Sequence, residues 1–198
     1  GDVVGGVALE GRAEADLDPG GFGPAVGDLD AGDLGFVGGV HGNEYTGIEI
    51  VDRLVQKFEM GELVLLRGRL SLALGNLRAI VFETRGSEPG QNLNTYFDAH
   101  VLTEKYTSYE AMRARDLAIA LKGVQIGIDL HSTNLPSQPF LVAQSLRTKR
   151  GALVAQYLNV PVLLTDPNWV FAGGPSTLDE FFNRGRAGIG ICYESGQA

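Results

Sequence analysis

The chain is poor in cysteine, in long apolar runs and in positive charge, and each shortage removes a class of answer. Its one cysteine, Cys192, has no second thiol in the sequence to pair with, and a thiolate cluster cannot be built on one sulfur. Any metal must therefore be held by histidine and carboxylate. No stretch approaches the ~20 consecutive apolar residues that a membrane-spanning helix needs. The start of the chain also lacks the basic segment and apolar run of a signal peptide. These absences point to a cytoplasmic protein without a membrane partner. Lys and Arg number 16 against 24 Asp and Glu, for a net charge of −8. Nucleic acid is not an expected partner, because a phosphate backbone calls for clustered cations.

What is present suits a folded domain. With 198 residues, 44% of them hydrophobic and 20% charged, the chain can bury one full core. A single domain over 1–198 is the expectation. Glycine, at 28 residues, is about twice its usual share. Many glycines fall within residues 1–33, so an irregular segment of turns and short strands is expected there.

From Leu34 the text becomes periodic. LGFVGGV reads as a buried strand ending at His41, and the spacing of Ile48, Val51, Leu54, Val55 and Phe58 predicts a helix from about Tyr45 to Met60. RLSLALGN, Arg69 to Asn76, reads as a strand, and Arg78 to Asp98 as a long loop. A helix over Ser108 to Leu121 and a strand over Val124 to Leu130, ending at His131, follow. Then come a strand at Phe140, a helix from about Thr148 to Leu158 and a strand PVLL. A helix beginning near Ser176 has Thr177 and Glu180 at capping-box spacing, and GIGICY is a last strand delivering Glu194. Alternating strands and helices predict an α/β fold of three layers, a largely parallel sheet with helices on both faces. Ligand sites in such sheets lie at the carboxyl ends of the strands, where His41, His131 and Glu194 all fall.

HGNE, His41 to Glu44, sets an imidazole and a carboxylate three residues apart across a strand-to-helix turn. With His131 of DLHST as a third ligand, this is the two-His, one-Glu donor set of a catalytic zinc site holding one ion, with a fourth position open to water. A lone HxxE is more often structural; three strand-end positions agreeing tips the reading toward chemistry. Asp129 precedes His131 by two, so both face one side of a strand, and it can orient the imidazole or else satisfy a loop. Glu194 closes an apolar strand, where an unpartnered carboxylate is costly; beside the open position it can serve as general base. In the loop, Arg85 can stabilise an oxyanion and Asn94 can hold a substrate carboxylate or carbonyl. His100 has no partner motif and reads as a surface residue.

HGNE, GNLRA, NLN, DLHST and YESG together, over about Phe36 to Gly196, resemble in that order the signatures of the succinylglutamate desuccinylase and aspartoacylase family, relatives of the zinc carboxypeptidases. The resemblance implies a zinc carboxypeptidase-like fold with a mixed, mostly parallel sheet, and zinc-dependent hydrolysis of an N-acyl amino acid or similar small amide. It implies zinc on His41, Glu44 and His131, Glu194 as general base, and Arg85 polarising the scissile carbonyl. Arg85 stands further from NLN than the family pattern has it. Asn94-Thr95 replaces the family's usual Asn-Arg, which loses a bidentate contact to a substrate carboxylate. Substrates then lack that carboxylate, or Arg78 supplies the charge. The chain stops two residues after Gly196, where the family usually continues into a small, mostly β domain, so the expectation is a catalytic domain alone. Two other readings stay open: a metallocarboxypeptidase acting on peptides or cell-wall fragments, and a zinc-binding protein without turnover.

Overall fold

A computed structural model describes residues 6–11, 33–103, 107–143, 149–165, 168, 176–184 and 188–197. Among these, seven strands form one sheet in the order β1-β3-β2-β4-β7-β5-β6. They are β1 Gly6–Gly11, β2 Leu34–Gly38, β3 Gly68–Leu74, β4 Ile126–His131, β5 Phe140–Val142, β6 Val162–Leu164 and β7 Ile189–Glu194. The helices are α1 Tyr45–Glu59, α2 Leu77–Phe82, α3 Ala99–Thr103, α4 Tyr109–Ala120, α5 Lys149–Tyr157 and α6 Leu178–Asn183. Strands β3, β2, β4 and β7 run parallel as neighbours, and β5 with β6; β1 on β3 and β5 on β7 are antiparallel. The sheet is thus mixed and mostly parallel, as expected.

Period-two burial sorts the strands onto two cores. Leu70, Leu72, Ile126, Ile128, Leu130, Ile189 and Ile191 pack with Val51 of α1 and Val154 of α5. Val37 and Ala73 face the other way, toward Ala114 and Leu117 of α4 and Leu178 and Phe182 of α6. Strands covered on both faces run mostly apolar, and β4 is buried at every position, its polar residues Asp129 and His131 included. The fold is the three-layer, zinc carboxypeptidase-like arrangement expected from the sequence.

The structure corrects several local expectations. β2 stops at Gly38, so His41 lies in the turn beyond the strand rather than at its end; Gly39 at φ +73° turns the chain there. The expected loop from Arg78 begins with α2, capped by the Asn76 side chain accepting from Ala79 N, and includes a 3-10 turn, Leu93–Thr95. The capping box at α6 does not form: Thr177 makes no capping bond, and its side chain instead bonds the Asp179 carboxyl. Within residues 1–33, β1 is one short strand of the kind expected, pairing with β3, while residues 1–5 and 12–32 lie outside the described part. No described helix is long and apolar enough to cross a membrane.

Candidate active site

Adjacent parallel strands β2, β4 and β7 deliver their carboxyl ends to one edge of the sheet, with His131 and Glu194 directly paired in register. The HGNE turn comes off β2 and is closed by Glu44 N donating to His41 O at 3.2 Å. At Gly42 a Cβ would lie 2.0 Å from the Ala79 carbonyl carbon, so only glycine lets this turn press on α2. Glu44 holds the N-cap position of α1 but makes no capping bond, which leaves its carboxylate free for the histidines.

That carboxylate bridges the two rings. Glu44 Oε1 is 2.7 Å from His41 Nδ1 and Oε2 is 2.7 Å from His131 Nδ1, while Ser132 N donates to Oε2 at 3.1 Å. The ring centroids are 4.8 Å apart. One donor atom from each of His41, Glu44 and His131 lies within 4.8 Å of the others, a group able to hold a metal ion. All three residues are only 4% exposed.

The far ring nitrogens also meet acceptors. His41 Nε2 is 2.9 Å from Asn92 Oδ1. His131 Nε2 is 2.9 Å from Asp129 Oδ2, an ion-pair distance without aligned hydrogen-bond geometry. A neutral imidazole carries one N–H and cannot serve acceptors at both nitrogens. The arrangement therefore calls for positive charge between the Nδ1 atoms and the carboxylate, supplied by ring protons or by a metal. Burial pushes the Glu44 carboxyl up, but hydrogen bonds from His131 and His41 and their charges pull it well below the usual range. Burial would push the His131 imidazole down, yet Asp129 and Glu44 hold it well above its ordinary value.

Glu194 is half-buried, with Oε2 lacking any hydrogen bond. Burial pushes its carboxyl up; the His131 charge opposes this, and the Glu44 and Asp129 charges add to it. Arg85 reaches Glu44 Oε1 with Nη1 at 3.4 Å, its side chain 51% exposed. A cleft of about 460 Å³ beside it is lined by Phe82, Arg85, Ser87, Gln91 and Asn92 among others.

The remaining sequence candidates take different places. Asn94 Oδ1 accepts from Leu178 N at 2.8 Å, and its Nδ2 makes a marginal 3.5 Å approach to His131 Nε2. The Thr95 hydroxyl donates to Asn92 O at 2.8 Å and is spent on its own turn. Arg78 lays its guanidinium over the Tyr109 ring, 4.2 Å from the centroid. His100 is exposed on α3. Asn92 was not among the candidates; an Asn two residues before Asn94, at capping spacing for a short turn, was the available signal.

A buried His-Glu-His group at the carboxyl edge of a carboxypeptidase-like sheet defines the class, an α/β protein built around a candidate metal centre. Residues 30–198 match the succinylglutamate desuccinylase/aspartoacylase catalytic domain, and the chain belongs to that family. It is 31% identical over 141 residues to a probable aspartoacylase of Parasynechococcus marenigrum (strain WH8102), covering 67% of this chain and 45% of that protein. Its fold matches the succinylglutamate desuccinylase of Chromobacterium violaceum at a TM-score of 0.68 and 24% identity, covering 85% of this chain and 56% of the other. Murine aminoacylase 3 matches at a TM-score of 0.66 and 23% identity, with the same coverage. The chain thus spans about half the length of these relatives.

Proposed function

We propose that this chain is a catalytic domain of a zinc-dependent hydrolase that cleaves the amide bond of an N-acyl amino acid or a similar small amide. The observation that carries the reading is the convergence of His41 Nδ1, His131 Nδ1 and the Glu44 carboxylate on one buried point. Two imidazoles and one carboxylate are a donor set that suits zinc, and a cation among them relieves the excess of acceptors around both rings. Zinc bound there would supply a Lewis acid able to polarise a carbonyl oxygen and to lower the pKa of water toward ~7.

The chain's own residues account for the rest. Glu194, on the strand beside His131 and raised in pKa by burial, accepts a proton from the attacking water and returns it to the leaving nitrogen. Arg85 brings a guanidinium to the rim of the site, where it can hold the developing negative charge on the acyl oxygen. Asn94 is anchored through Leu178 N and presents its amide toward His131, within reach of a polar substrate group. The Thr95 hydroxyl is engaged and Arg78 is stacked on Tyr109, whereas Arg85 reaches the donor group through Glu44. Recognition of a second substrate carboxylate is correspondingly weak in this reading. A small molecule in the cytoplasm is the partner it implies, and the names of the relatives, aspartoacylase, succinylglutamate desuccinylase and aminoacylase, agree with an acyl amide.

The test is a zinc titration of chelator-stripped protein, followed by assay on N-acyl amino acids beside short peptides. Zinc should restore hydrolysis of the acyl amides, and Glu194→Gln should lose about 10²–10⁴-fold in kcat while keeping its zinc. Turnover of peptides alone would favour the carboxypeptidase alternative. Bound zinc with no turnover of either would leave a binding protein.

A further inference from the structure

The two histidines are braced from behind by different chemistry, a carboxylate at His131 and a neutral amide at His41. An Asn side chain can be turned over, exchanging its oxygen and nitrogen, so the atom facing a histidine must be settled by some other contact. Here the backbone settles it. Asn92 is the N-cap of the 3-10 turn Leu93–Thr95, and its Oδ1 accepts from Asn94 N at 3.0 Å. Turning the amide over would set its NH2 against that N–H. The atom 2.9 Å from His41 Nε2 is therefore an acceptor, and Nε2 must carry a hydrogen. The electron pair left for a cation is on Nδ1, the atom facing Glu44.

We propose that Asn92 is a positioning residue of the metal centre. Its one side-chain oxygen holds His41 with Nε2 protonated and Nδ1 presented inward, and it also caps the turn that carries Asn94. Asn94 is fixed in turn to Leu178 N, which ties the turn that braces His41 to α6. A neutral amide is a weaker acceptor than the carboxylate that often backs a metal-bound imidazole, so this chain holds His41 as a less basic ligand than a carboxylate partner would.

The inference rests on the proposed metal site for its affinity readout, and a second readout does not need the metal. Zinc affinity, measured by competition with a chromophoric chelator, should fall about 10–100-fold in Asn92→Ala, the usual cost of losing such a partner. Asn92→Ser keeps a turn-capping oxygen but is too short to reach His41, and should bind zinc as poorly as the alanine variant. Asn92→Asp keeps both acceptor roles and should bind zinc at least as tightly as the parent. The His41 Nε2–H proton, followed by 15N-edited NMR with and without zinc, should exchange slowly in the parent and in Asn92→Asp, and quickly in Asn92→Ser. Serine behaving as the parent in both readouts would reduce Asn92 to a turn cap and overturn the proposal. Failure of the parent to bind zinc, with slow Nε2–H exchange still dependent on Asn92, would overturn the metal reading and leave the bracing of His41 standing.

Discussion

Asp179 lies in the first turn of α6, 4% exposed, with its carboxyl raised from the usual 3.8 to about 6. Burial is the main cause; the hydrogen bond with Thr177 opposes it, and the charges of Asp129 and Glu180 add to it. A carboxyl whose folded pKa exceeds its unfolded one binds more protons when folded, so stability is present at low pH and lost as pH rises between the two values. Raising the carboxyl from 3.8 to about 6 costs the ionised folded state about 3 kcal/mol. Asp179→Asn removes the charge and retains the shape and the Thr177 partner. It should therefore be about 3 kcal/mol more stable than the parent at pH 8, and the gain should shrink below about 1 kcal/mol at pH 4, where the parent's Asp179 is protonated in the folded state. Urea unfolding at both pH values, in chelator so that no metal charge intervenes, measures the difference directly. A gain independent of pH, or a loss at pH 8, would refute the argument that a buried charge is being forced on α6.

Two other substitutions probe how the site is held. At Gly47 of α1 a Cβ would lie 2.6 Å from Leu130 O. Gly47→Ala should therefore destabilise the fold by about 1–3 kcal/mol through overpacking, against the ~1 kcal/mol that alanine favours in a helix, as denaturant midpoints will report. Because α1 carries Glu44 and β4 carries His131, zinc affinity should fall with it. Arg85→Ala should lower kcat on acyl amides about 10²–10³-fold, in proportion to the lost stabilisation of negative charge, with stability within ~0.5 kcal/mol because the side chain is half exposed. An unchanged kcat would remove Arg85 from the mechanism.

Much of this protein is legible in one dimension. Helix α1 carries its apolar residues at helical spacing, and α4 starts at the Ser108 cap, whose side chain accepts from Ala111 N. The strands that lead into DLH and CYE are legible by their apolar residues Ile126, Ile128, Ile189 and Ile191, which are buried in the core. The residues of the candidate centre are legible too, since the motifs that supply them are local: His41 and Glu44 share one turn, and Asp129 and His131 share one face of a strand. The capping box at α6 does not form because the Thr177 side chain bonds the Asp179 carboxyl instead, a partner that capping-box spacing does not reveal. Helix α2, at the start of the stretch expected as loop, is not legible in the sequence because at six residues it is too short to show a period.

Sequence alone determined which residue types the candidate site has to draw on, because residue type and local spacing are properties of the chain itself. Tertiary structure alone decided that β2, β4 and β7 are neighbours, since strand order depends on crossovers that no local pattern records. That order brings the Nδ1 atoms of residues 41 and 131 to one carboxylate and pairs His131 with Glu194. It also turned Asn92 from a loop residue into the brace of His41, across 51 positions of chain, through a contact that exists only once the turn at Leu93 is folded against the sheet edge.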